Sequence, residues 1–210
     1  MQPKSFNQRE SGFSLIELVL VVTLMGIMMA IAVPQLVGQR RLLRTAAIPR
    51  EMITQLRNAR QQAITQRESF TFQYNNITKQ ILIIDNNAGG VAVLNSPAYP
   101  NNPGSKVVAT SSLAVGGLSS TEINYGIPTG VPTTALDDSV LRTNLTSGKV
   151  NITFQPDGTV IDANGNPLDR ALFIYNSQLP KETAAAISIV GSAGRVKLWR
   201  YDKAKNKYVE

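Results

Sequence analysis

The 210-residue chain contains no cysteine and no histidine. The first absence excludes disulfides and thiolate nucleophiles. The second removes imidazole metal ligands, Cys–His pairs and Ser–His–Asp triads. Aromatic residues are scarce, at 6% of the chain with a single tryptophan, and charged residues make up only 17%. The charges form no block of the disordered, tail-like kind. No internal repeat is visible, and no glycine-rich loop follows a strand and opens a helix as a phosphate cradle does. No nucleophile and base can be paired, so an enzyme is not expected, and neither a cofactor nor a metal site is read from the chain. The formal charge of +7 is moderate for this length. It implies a non-specific attraction to acidic surfaces or nucleic acid rather than a defined site.

What the chain does have is one long apolar run. From Leu15 to Leu36 the only clearly polar residues are Glu17, Thr23 and Gln35. A membrane-spanning helix needs about 20 mostly apolar residues, so this run is long enough. A carboxylate deep in such a helix costs roughly 2.5–3.5 kcal/mol on insertion scales. Near the helix end, where Glu17 lies, the cost is lower, but the group still calls for a partner. The leader from Met1 to Gly12 is polar, with Lys4 and Arg9 set against Glu10. A secretory signal places its small-residue cleavage site after the apolar core. Here Gly12 precedes it. A cut after Gly12 would leave the apolar helix on the mature protein and free the Phe13 amine one helical turn before Glu17.

The segment Gly12-Phe13-Ser14-Leu15-Ile16-Glu17 resembles the class III prepilin signal of type IV pilins and type II secretion pseudopilins. Pro34 sits where that family usually has a proline in its first helix. The resemblance implies a membrane prepilin peptidase that cuts after Gly12 and methylates the Phe13 amine. It implies that Glu17 pairs with the N-terminal amine of a neighbouring subunit during assembly. It also implies an inner-membrane, single-pass protein with its head in the periplasm. Many pilins carry a disulfide near the C-terminus, and this chain departs from that habit.

Residues 35–68 are rich in good helix formers, and Met52, Leu56, Ala59 and Ala63 recur at helical spacing as one apolar face. Arg50, Arg57 and Arg60 flank it. Pro49 is expected to kink or interrupt the helix, because proline lacks the donor and clashes with the preceding turn. A continuous helix from Phe13 to Glu68 would be about 84 Å long. That exceeds a bilayer, so the second half must pack on a head domain, with Ala59 and Ala63 allowing close approach to a sheet. Leu56 to Ile64 resembles the ARxEAI segment of the pilin subgroup that holds pseudopilin H and fimbrial protein T. Gln62 stands where an acid is usual. The segment reads as a fold marker at the helix–sheet seam.

The remainder reads as antiparallel strands at 70–74, 80–85, 122–125, 149–155, 171–175, 186–190 and 195–201, enriched in β-branched and aromatic residues. Pro156-Asp157-Gly158-Thr159 is a turn signal. The stretches 86–120 and 126–147 are rich in Gly, Pro, Ser, Thr and Asn and read as long loops, which are uncommon in compact domains unless functional. Asp162 to Asp169 places oxygen ligands at alternating positions and faintly resembles a calcium loop, but it lacks the spacing and terminal glutamate of an EF-hand. A plain turn is the simpler reading. Asp137-Asp138 reads as a solvated acidic pair. Three Asn-x-Thr sequons at Asn76, Asn144 and Asn151 are discounted, since a prepilin signal implies a prokaryotic cell.

One segment offers binding chemistry. In the strand Gly194 to Tyr201, alternation puts Val196 and Leu198 on one face and Arg195, Lys197, Trp199 and Tyr201 on the other. Lys203, Lys205 and Lys207 follow around a turn at 204–206. Cations interleaved with aromatics could hold a phosphate backbone and stack bases, with Arg195, Lys197 and Arg200 as candidate nucleic-acid contacts. Gly194-Arg195-Val196-Lys197 resembles the basic C-terminal motif of fimbrial-protein-T-like subunits linked to DNA uptake, with lysine in place of the second arginine. The simpler reading is an edge strand whose charges prevent strand-on-strand aggregation.

The expectation is an α+β pilin fold in which a long N-terminal helix packs on an antiparallel β-sheet head. Its parts are a leader (1–12), a transmembrane and assembly helix (13–36), a helical continuation (37–68) and a β-rich periplasmic head (69–210). The function expected is that of a minor pilin or pseudopilin. A DNA-binding minor pilin and a major filament subunit stand as alternatives.

Overall fold

The computed structural model describes residues 14–86, 104–114, 118–132, 136, 142–162 and 164–210. Gly12, Phe13, Asp137 and Asp138 lie outside the described residues. The chain divides into two compact units, Met1–Arg40 and Arg41–Glu210.

One helix, α1 (Leu15–Gln66), accounts for all the described structure of the first unit and opens the second. In the first unit its apolar side chains point outward on all sides: Leu15, Ile16, Leu18, Met25, Met28 and Ile31 are all exposed, Leu15 at 80%. A helix that is apolar all round has no soluble face, which suits a membrane. An 18-residue window of α1 has mean hydropathy 2.6, with none of it buried.

The second unit is the head. Its strands are β1 (Phe70–Asn75), β2 (Gln80–Asp85), β3 (Lys106–Ser112), β4 (Ile123–Tyr125), β5 (Lys149–Phe154), β6 (Arg170–Asn176), β7 (Ala185–Val190), β8 (Arg195–Asp202) and β9 (Lys207–Val209). A single helical turn, α2 (Pro180–Thr183), precedes β7. Two antiparallel sheets result, in the orders β3-β2-β1-β5 and β4-β6-β7-β8-β9. The α+β arrangement of a long N-terminal helix with antiparallel sheet is therefore present.

The helical face that periodicity marks out is the one that is buried. Ile48, Met52, Leu56, Ala59 and Ala63 form a core with Phe70, Phe72 and Tyr74 of β1, Ile152 and Phe154 of β5, and Ile187 and Ile189 of β7. The two alanines leave room for the backbones to approach. Of the two outcomes expected at Pro49, a kink or a break, the break does not occur: α1 runs through it. It is buried and lines a small space with Thr45, Ile48, Ile174, Tyr175 and Thr183. Packing of the ring there offsets the lost helical hydrogen bond, which isolated helices cannot do.

Two strands escape the sequence reading. β3 falls within the stretch 86–120 that reads as loop, because Lys-Val-Val-Ala-Thr-Ser-Ser mixes strand formers with small polar residues. β9 has three residues and is too short to show alternation. Elsewhere the boundaries agree to within a residue. The second face of β1 is polar yet buried: Thr71 Oγ1 lies 2.8 Å from Thr153 Oγ1, and Gln73 Nε2 donates to Asn151 Oδ1 at 3.0 Å, both across the β1–β5 ladder.

Candidate functional site

At the N-terminal end, the Ser14 carbonyl accepts the first helical bonds, from Glu17 N at 3.0 Å and Leu18 N at 3.1 Å. Glu17 thus sits in the first turn, where a carboxylate interacts favourably with the helix dipole. It is exposed among apolar neighbours, and no ion pair or hydrogen bond engages its carboxylate among the described residues. Thr23 behaves differently. Its hydroxyl donates to the Val19 carbonyl at 2.7 Å, so it needs no outside partner. Of these two polar groups in the run, only Glu17 is left for another molecule to satisfy.

At the C-terminal strand the structure corrects one expectation. Trp199 is 1% exposed and sits in a second core with Ala171, Phe173, Ala186 and Tyr208. Its Nε1 donates to Ser188 Oγ at 2.8 Å. Both faces of this sheet are covered, one by α1 and its core, the other by this smaller cluster. Trp199 therefore offers no surface for a base. β8 pairs with β7 over Arg195–Arg200, but β9 covers only Arg200–Asp202, so among the described residues Arg195–Trp199 keep one open side, as the edge reading expects. Strand alternation is read correctly from the sequence, but alternation cannot tell a solvated face from a second buried one.

The cations of this segment do not form one patch. Lys197 Nζ lies 3.6 Å from Glu210 Oε2 and 5.1 Å from the centre of the Trp199 ring. Lys203 pairs with Glu182, and Lys205 Nζ lies 3.6 Å from Asp202 Oδ2. The carboxyls of Glu182 and Asp202 are held below their ordinary range, Glu182 mainly by its bond from Lys203 and Asp202 mainly by the backbone N–H of Lys205. Arg200 lines a groove with Leu42, Leu43 and Pro49 of α1. Arg195 instead shares a cleft of about 360 Å³ with Arg57, Arg60 and Gln61. The sequence reading treats Arg57 and Arg60 only as flanks of a helical face, and nothing in the helix pattern shows that β8 returns beside them.

Arg60 also has a structural task. Its Nε donates to the Gly158 carbonyl at 3.3 Å and its Nη2 to the Ala193 carbonyl at 2.8 Å. One guanidinium thus ties α1 to two turns of the head. This is the arginine of the segment that resembles ARxEAI, and its role as a fold marker has a physical basis. Gln62, in place of the usual acid, donates to Asn58 Oδ1 at 2.9 Å.

The Asp162–Asp169 loop is a capped turn. Asp162 Oδ1 accepts from the backbone N–H groups of Asn164 and Asn166, at 2.8 and 2.9 Å, and Asp169 Oδ1 accepts from Gly191 N at 2.7 Å. The Asp162 carboxyl is held below its usual range, first by the Asn166 N–H. Both carboxylates are committed to backbone donors.

Residues 7–33 match the family model described as the prokaryotic N-terminal methylation motif. No curated protein matches the chain in sequence. Among solved structures, the chain is similar to the type IV minor pilin FimU of Pseudomonas aeruginosa strain PAO1. One crystal form gives 18% identity and a TM-score of 0.44, covering 82% of this chain and 96% of that one. A second form gives 17% identity and a TM-score of 0.43, covering 78% and 96%. The matched residues contain Gly12, Phe13 and Glu17, so this chain carries the prokaryotic N-terminal methylation motif.

Proposed function

We propose that this chain is a minor pilin or pseudopilin, a structural subunit of a type IV pilus or a type II secretion pseudopilus. In this reading a prepilin peptidase cuts after Gly12 and methylates the Phe13 amine. The apolar half of α1 anchors the protein in the inner membrane, with the head in the periplasm, until assembly. The subunit then leaves the bilayer by docking that helix among those of other subunits. The observation that carries the reading is the methylation motif over residues 7–33, which includes an exposed carboxylate at Glu17 with no partner among the described residues.

In this reading, as the resemblance implies, Glu17 pairs with the Phe13 amine of a neighbouring subunit, and the pair exists only in the filament. Replacing Glu17 with alanine makes the helix more apolar and more comfortable in lipid. Glu17→Ala should be processed normally yet incorporate poorly into filaments, at a tenth of the wild-type level or less on the order of one lost buried pair. Equal recovery of mutant and wild type in a sheared filament fraction would refute the pairing.

A second reading, DNA binding for uptake, has one observation in its favour: Arg195 lies in a cleft with Arg57 and Arg60. Burial of Trp199 removes the stacking partner that single-strand binding would need. Full-length protein in neutral detergent should therefore show only weak, non-saturable attraction to duplex at about 0.15 M salt. The Arg195→Ala, Lys197→Ala double variant should bind no differently but self-associate more readily, because β9 leaves Arg195–Trp199 uncovered along one side. Saturable binding whose salt slope flattens by about two in the double variant would move the protein into the DNA-uptake class.

A further inference from the structure

The head begins with Arg41-Leu42-Leu43-Arg44, and this short stretch combines features that no contact within the head accounts for. Leu43 is 74% exposed, and Leu42 is partly exposed on the wall of a groove of about 250 Å³. Ala46 and Pro49 of α1, with Ala184 and Ala185 at the start of β7, continue that groove. Arg200 stands on its rim. Arg41, Arg44 and Arg200 are all exposed, and no ion pair engages their side chains among the described residues. The one acid on the groove, Glu182, is already paired with Lys203.

The position of this stretch limits what it can meet. Arg41 follows Leu36, where the span is read to end, by five positions. Even a fully extended chain of that length reaches only about 18 Å. Whatever the orientation of the head, Arg41–Arg44 stays within the headgroup layer or next to it. Exposed leucines flanked by arginines suit that layer, since the apolar stems enter the boundary and the guanidinium groups stay at phosphate level. A planar guanidinium also matches a phosphate oxygen pair better than an ammonium does.

We infer that Leu42 and Leu43, together with Arg41, Arg44 and Arg200, form a contact for anionic phospholipid headgroups that holds the head against the bilayer before assembly. The inference rests on the span proposed above. Native mass spectrometry of the full-length protein, released from nanodiscs of equal phosphatidylglycerol and phosphatidylcholine, reads it directly. Wild type should retain phosphatidylglycerol preferentially, by about fivefold for each arginine engaged. The triple variant Arg41→Gln, Arg44→Gln, Arg200→Gln should lose the preference with its melting temperature unchanged, and the matching Lys variant should keep part of it.

Equal retention of the two lipids by wild type, or a preference that survives the Gln variant, overturns the inference. So does a lipid-free dimer that dissociates on the same substitutions, which would assign the face to a second copy. Loss of the preference in millimolar inorganic phosphate would assign the arginines to free phosphate instead. Alkaline carbonate extraction separates the two levels of the argument. Release of the protein from vesicles would end the span reading and this inference together, whereas firm retention without headgroup preference ends the inference alone.

Discussion

Replacement of Gly12 by valine should leave the precursor uncut and held in the membrane. In the proposed function a peptidase takes the residue at the cut into a confined space beside the bilayer. Glycine offers no side chain to obstruct it, and a β-branched residue adds bulk at Cβ itself and stiffens the local backbone. The loss should be near complete, because nothing else in the leader offers a small residue next to the apolar run: Ser11 and Ser14 flank the segment, but neither leaves a phenylalanine amine one turn before Glu17. Intact-mass measurement of the wild-type protein should give a mature chain beginning at methylated Phe13. A mature form starting at any other residue would remove the basis of the proposed function. Accumulation of a normally processed Gly12→Val protein would show that the peptidase reads some other feature.

The second large effect lies in the head. Gly194 has φ of +58°, and a Cβ there would sit 1.8 Å from the Gly158 carbonyl oxygen and 2.7 Å from Arg60 Nε. Neither neighbour can retreat easily. The Gly158 carbonyl belongs to a turn closed by Gly158 N to the Gln155 carbonyl at 2.8 Å, and Arg60 is committed to that turn and to Ala193. Gly194→Ala therefore adds overpacking, typically 1–3 kcal/mol, to the roughly 1–2 kcal/mol that an L-residue spends in the left-handed region. Against a total stability of about 5–15 kcal/mol this is a large fraction. For a chain of this size it should lower the melting temperature by roughly 10 °C. Gly165→Ala is the control: its φ is +85° but no atom lies within 4 Å of a Cβ built there, so it suffers the backbone cost alone. If the two variants melt together, the clamp contributes nothing.

These two glycines also show what the sequence reveals and what it conceals. Gly12 is legible because its meaning is linear: a small residue, then Phe13, then an apolar run broken by Glu17. The stripe Met52, Leu56, Ala59 and Ala63 is legible because one period of 3.6 residues writes it. Strands such as Phe70–Asn75 and Ala185–Val190 announce themselves by β-branched and aromatic residues. Gly194 carries no such signal, since its neighbours Gly158 and Arg60 are distant in sequence. Trp199 misleads for a related reason: its side of β8 looks like a decorated surface until Phe173 and Tyr208 close over it. Pro49 misleads because a helix breaker in isolation becomes a packing residue once a sheet lies beneath it. Lys106–Ser112 pairs only along β2, and its composition offers little more than that partner needs.

The Arg60 clamp joins residues 98 and 133 positions apart. Arg60 leaves the ribosome long before the carbonyls it will bind, and strands β1 to β7 must all be made first. Contacts of such separation form slowly, because the intervening chain must be ordered before they contribute. A nascent or truncated chain therefore exposes the face of Met52, Leu56 and Ala63 with no lock across it, in a state prone to non-native association. Synthesis must run almost to its end before this clamp can close on the helix, so a chain released early keeps its β1 contacts but lacks the clamp.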